Sequence, residues 1–183
     1  SALIIRKEDI REHDRLLEVL TPEFGRINLI ARGTRKIVSK LNPHLAFLNL
    51  LQLGFMEGPK NKVLIMAETI EYFVNHETEA YRAAFGVIKL IDQLIWYNLP
   101  EPATFELVRN TLGELNQTKI DCSPVILRFK ANLLKILGYL PELSKCVSCD
   151  TTKFERRLFS FRQGGLLCPA CKSANDVLQV ADS

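Results

Sequence analysis

Four cysteines carry the clearest chemistry in this chain. "CVSC" at 146–149 and "CPAC" at 168–171 form two Cys-x2-Cys pairs separated by eighteen residues. Two thiolates on one tight turn can address a single ion, and two such knuckles supply a tetrahedral set of sulfurs. That spacing points to a structural zinc, one per chain, bound by Cys146, Cys149, Cys168 and Cys171. Four thiolates leave no open coordination position, and no Glu is placed as a general base, so the metal is expected to staple rather than catalyse. The zinc element spans about 144–173 and holds a hairpin, "FERRLFSFRQGG" at 154–165. Its Phe159 and Phe161 are expected to pack on the helices, and Arg156, Arg157 and Arg162 to decorate it. A redox reading of the Cys-x-x-Cys pairs is disfavoured, because such motifs occur singly on the strand-to-helix turns of α/β folds.

The second chemical signal is a run of cations. "ARGTRKIVSK" (31–40) carries Arg32, Arg35, Lys36 and Lys40 and no acid. Between Arg26 and Lys62 there are seven bases and one acid, Glu57, a local charge of +6, whereas residues 1–25 carry −2. A basic loop at strand ends is the footprint of phosphate binding, and with few aromatics it predicts sequence-independent, salt-sensitive contact with nucleic acid. Arg32, Arg35 and Lys36 lead the candidates, with Arg26 and Lys40 beside them; Lys60 and Lys62 read as solvated. Acids and bases interleave from Arg6 to Arg15, a pattern of mutual neutralisation. His13, His44 and His76 have no nucleophile at a suggestive spacing and read as surface or capping residues. Cys122 reads as a small packed side chain. No constellation supports catalysis, so the chain is not expected to be an enzyme.

These residues need elements to hold them. The chain has 183 residues, 47% of them apolar, and 24 Lys and Arg against 21 Asp and Glu. Its first 75 residues contain short apolar runs at 2–5, 15–21, 26–31, 47–55 and 62–70, separated by Gly, Pro and Asn punctuation. Ile27, Leu29 and Ala31 share one face. Five such strands predict a small closed or partly closed barrel. From about residue 77 the period changes to that of helices. One runs to Pro100, a second covers "PATFELVRNTLGELNQ", and a third follows Ser123 as its cap and stops at Gly138. The expected organisation is α+β: a barrel over 1–75, then a helical domain over 76–183 that contains the zinc element. Asn175 and Asp176 before "VLQV" read as the start of another helix. The chain begins with Ser1 and breaks off in that segment, so it is expected to be part of a longer protein. An odd, paired cysteine count points to a reducing compartment, and no signal peptide or membrane-spanning run is visible.

The order of these features resembles the RecO family of bacterial recombination mediators. The resemblance rests on "DRLLEVLT" (14–21), Gly25, "ARGTRK" (31–36), "AETIEYF" (67–73) and "LLKILGYLPELSKCVSC" (133–149). It implies an oligonucleotide-binding (OB-fold) barrel followed by helices, and no catalytic centre. It also implies binding and annealing of single- and double-stranded DNA, contact with the C-terminal tail of the single-strand-binding protein, and work with RecR to load RecA, in the bacterial cytoplasm at the nucleoid. Members usually continue with further helices after the zinc element. The competing expectation is a zinc-stapled protein-interaction adaptor whose basic loop only aids solubility.

Overall fold

The computed structural model describes residues 1–59, 61–73, 79–118, 121–172 and 177–179. Lys60, His76, Asn175 and Asp176 lie outside the described residues. The chain forms two compact units, Ser1–Leu133 and Leu134–Ser183.

The first unit opens with five strands, β1 (Ala2–Asp9), β2 (Arg15–Thr21), β3 (Gly25–Ala31), β4 (Asn49–Glu57) and β5 (Lys62–Tyr72). They close a barrel in the order β1-β2-β3-β5-β4. All neighbours are antiparallel except β3 and β5, which run parallel through Leu29–Lys62 and Ile30–Val63. This is the OB-like closure expected. Alternation decides what goes inside: Leu17 and Val19 from β2 meet Ile27, Leu29 and Ala31 from β3, with Ala2, Ile4, Leu51, Leu64 and Ala67 completing the core. The unbroken run "ALII" in β1 is buried at all four positions, because α1 packs on this strand outside the barrel.

Three helices follow, α1 (Glu79–Leu94), α2 (Pro102–Gln117) and α3 (Ser123–Ile136). α1 buries Ala80, Ala84, Val87, Ile88 and Ile91, and α2 buries Phe105, Val108, Leu112 and Leu115. α2 packs against α1 and β2. Two helix ends differ from expectation. α1 stops at Leu94, six residues before Pro100. At α3 the Asp121 carboxylate, not Ser123, does the capping: it accepts the Ser123 N–H at 2.8 Å, which lowers its pKa. Gly138 stops α3 as expected, with φ +75°. Its N–H donates to Lys135 O and the Tyr139 N–H to Leu134 O, a Schellman closure.

The second unit is built on β6 (Leu158–Ser160), β7 (Gly165–Leu167) and β8 (Val177–Gln179), in the order β7-β6-β8. The segment Val177–Gln179 is therefore a strand paired with β6, not the helical start read from the sequence. Phe159 and Phe161 pack on each other, edge to face with ring centroids 5.1 Å apart, and Phe161 stays 66% exposed. No helix among the described residues is long and apolar enough to cross a membrane.

Candidate nucleic-acid interface and metal centre

The metal centre is assembled by two turns. In the first, Cys146 N–H donates to Thr151 O and Asp150 N–H to Cys146 O, with Asp150 in the left-handed region at φ +57°. In the second, Cys168 starts a short 3-10 turn over Pro169–Cys171, closed by Cys171 N–H to Cys168 O. The strands bring the turns together: Val147 N–H donates to Leu166 O beside β7, and Leu158 and Leu167 pack under the cysteines.

One ligand atom from each of Cys146, Cys149, Cys168 and Cys171 lies within 4.8 Å of every other, and Cys149 Sγ sits 3.7 Å from Cys168 Sγ. A tetrahedron with metal–sulfur bonds of about 2.3 Å has edges near 3.8 Å, so the donor set fits a thiophilic ion such as zinc. Electrostatics support the fit. Burial opposes ionising Cys146, but N–H groups of Cys168, Ser148 and Cys149 aimed at it bring its thiol down to about 6. An N–H from Thr151 favours ionising Cys149, yet the thiols of Cys146, Cys168 and Cys171 push it up to about 12. Four thiolates this close need a cation between them. All four expected metal residues are thus brought together.

The expected cations divide sharply. Arg26 is not on the surface. It is 5% exposed, with Nε and Nη2 donating to Glu18 Oε2, Nη2 also to Asp92 Oδ1, and Nη1 to the carbonyls of Asp92 (2.6 Å) and Ile95 (3.1 Å). The Tyr97 ring lies 4.4 Å from its guanidinium, and Tyr97 O–H donates to Glu18 Oε2 at 2.6 Å. Burial alone would raise the Glu18 pKa, but Tyr97 and Arg26 hold it below the usual carboxylate range. Arg26 satisfies the Asp92 carbonyl in the last turn of α1 and the Ile95 carbonyl just past its end, which suits a helix that stops before Pro100. As a phosphate contact it is corrected: every nitrogen is engaged inside the fold. Lys62 is also engaged, with Glu57 and over the Phe55 ring at 5.5 Å.

Arg32, Arg35, Lys36 and Lys40 are all exposed on the β3–β4 connection. The base of this loop is tied down. Gly33 N–H donates to Asp14 Oδ1, Thr34 Oγ1 to Ala31 O, Arg35 N–H to His13 O and Arg35 Nη1 to Arg11 O. Asp9 receives Arg15 at 2.8 Å and Arg35 at 3.3 Å. At the far end, His44 Nδ1 accepts the Thr69 N–H at 3.2 Å, pinning the Asn42–His44 turn to β5. Arg32, Lys36 and Lys40 have no ion pair with a described acid.

Arg32 also lines a groove of about 290 Å³ with Ile10 and Arg11 from the β1–β2 turn and Gly58, Pro59 and Asn61 from the β4–β5 turn. In OB folds the loops joining strands 1–2 and 4–5 flank the oligonucleotide site. In the sequence Arg11 reads as neutralised by neighbouring acids. In the fold its nearest partner, Asp14, stands 3.7 Å away and Arg11 stays largely exposed. The position of Arg11 in the first inter-strand turn is the signal that could have found it.

Comparisons with known proteins decide the family. Residues 1–73 match the family description "Recombination protein O N terminal" and residues 75–180 match "Recombination protein O C terminal". The chain belongs to the RecO family. It is 31% identical to a DNA repair protein RecO of Dehalococcoides mccartyi, over 98% of this chain and 72% of that protein. A DNA repair protein RecO of Roseiflexus sp. is 33% identical over 93% of this chain and 60% of its own length. One from Listeria welshimeri is 29% identical over 92% and 66%. The barrel, the three helices and the cysteine cluster are therefore those of a RecO-family DNA repair protein.

Proposed function

We propose that this chain is a non-enzymatic mediator of recombinational repair that binds DNA along the groove and basic loop, anneals strands, and helps load the recombinase on DNA covered by single-strand-binding protein. The observation that carries the reading is the placement of Arg32, Arg35, Lys36 and Lys40 on a loop anchored beside a groove flanked by the two OB-type turns. Cations held in place beside such a groove track a phosphate backbone without reading bases, and neutralising phosphates lets two complementary strands approach each other. Zinc at the four cysteines holds the second unit folded and takes no part in chemistry. RecR, the single-strand-binding protein and, through them, RecA are the partners that the family resemblance implies. An apolar groove of about 800 Å³ between α1 and α3, lined by Ala83, Pro124, Ile126 and Leu127 with Arg82 and Lys130 at its rim, offers a place for a partner's peptide.

The test is fluorescence anisotropy of a labelled poly-dT strand over a salt series, with wild type and an Arg32→Ala/Arg35→Ala/Lys36→Ala variant. Each cation withdrawn from a phosphate takes about 0.7 off the slope of log affinity against log salt, so the variant should bind more weakly with a slope shallower by about 2. Equal binding by both proteins would remove these three cations as the contact, and no binding by either at low salt would remove the DNA-binding reading and leave the adaptor.

A further inference from the structure

The tip of the basic loop presents two apolar side chains with nothing over them. Ile37 is fully exposed (105%) and Val38 is 85% exposed. Neither is a frayed end. Lys36 N–H donates to Gly33 O at 3.2 Å and Ser39 N–H to Lys36 O at 3.0 Å, two consecutive turns that thrust residues 37 and 38 outward from the anchored base. Leu41, just beyond, turns back and packs on the barrel core. The connection thus buries Leu45 and Leu48 and partly covers Leu41, yet expels two β-branched residues at its tip, at a hydration cost that a bound partner would relieve.

We propose that Ile37 and Val38 are an apolar wedge that enters between or beside nucleobases while Arg35, Lys36 and Lys40 hold the flanking phosphates. The inference rests on the DNA-binding reading above and adds a contact to bases. Charge complementarity names the occupant: the tip is ringed by exposed cations, and no acid occurs from Phe24 to Met56. Stiff, compact side chains suit insertion into a base step, where Ile, Leu, Met, Pro and Phe act as wedges. A lipid surface is the other apolar, anionic target. Loops and helices that enter it rely on Trp, Phe or Leu, and the exposed tip, residues 35–40, contains none of these. A wedge would give this loop a grip on exposed bases that does not weaken with salt, and would loosen stacking at the place where a strand is to be re-paired.

An Ile37→Ser/Val38→Ser variant keeps every charge, and both positions are surface ones, so a thermal melt should match wild type. Binding to a poly-dT strand should weaken roughly tenfold with the salt slope unchanged. A duplex carrying 2-aminopurine should brighten on binding wild type, as its neighbours unstack, and stay dim with the variant. If wild type binds with a cation-dependent slope but the double variant matches it in affinity and 2-aminopurine emission, the wedge is refuted and the DNA-binding reading survives. If neither protein binds DNA, both fall. Loss of binding by the variant only on vesicles containing anionic lipid would also overturn the proposal and make the tip a membrane contact.

Discussion

Replacing Arg26 by Met removes five hydrogen bonds made inside the first unit. The guanidinium donates twice to Glu18, once to the Asp92 carboxylate and once each to two carbonyls at the end of α1. Met keeps the length and apolar stem but leaves the Glu18 carboxylate buried, with Tyr97 as its remaining donor. Breaking a buried pair by removing one partner costs about 3–5 kcal/mol, a large part of the roughly 5–15 kcal/mol that holds a domain together. The sign of the pH dependence follows from Glu18. Its folded-state pKa is depressed, so the pair contributes fully above the unfolded value of 4.5 and the contribution is lost as pH falls through the lower folded value. In Arg26→Met, burial with no cation pushes Glu18 up instead. Urea unfolding followed by far-UV circular dichroism should show the deficit largest near pH 7 and shrinking below about pH 5, as the orphaned carboxylate takes up a proton. Adding Glu18→Gln to Arg26→Met should restore part of the loss. A deficit under about 1 kcal/mol at pH 7, or one indifferent to pH, would refute the account of Arg26 as a buried hub.

Two further outcomes are expected. Chelation should release one zinc per chain, read with a colorimetric indicator, and Cys149→Ser should lower that stoichiometry while β1–β5 keep their circular dichroism. Gly25→Ala should destabilise by about 2–4 kcal/mol in urea, because residue 25 sits at φ +66° and a Cβ there would lie 2.2 Å from Leu99 O.

Strand positions are legible because alternation in "RINLIA" and the turn residues between runs are local signals, and the same holds for the cysteine knuckles. What fails depends on distance. Nothing near Arg26 announces Asp92, 66 residues later, so a buried cation reads as a surface one and α1 extends to the next Pro. In "VLQV" a few apolar residues fit strand or helix equally, and only the edge offered by β6 decides. Arg11 is discounted by its acidic neighbours in sequence, whereas the barrel turns its side chain towards the groove. Ile37 and Val38 look like ordinary loop residues, since exposure is a property of the folded chain.

The Arg26 hub also bears on how this protein can be dissected. A piece ending at residue 73, where the N-terminal family match stops, would retain all five strands. It would lack Asp92, Ile95 and Tyr97, and a cation evolved for a sealed interior would be left against Glu18 alone. The segment matched as the N-terminal family unit and the segment that completes the cage around Arg26 are therefore different lengths. A transplantable version of this barrel has to carry its chain onward through at least residue 99, taking α1 along as part of its own wall.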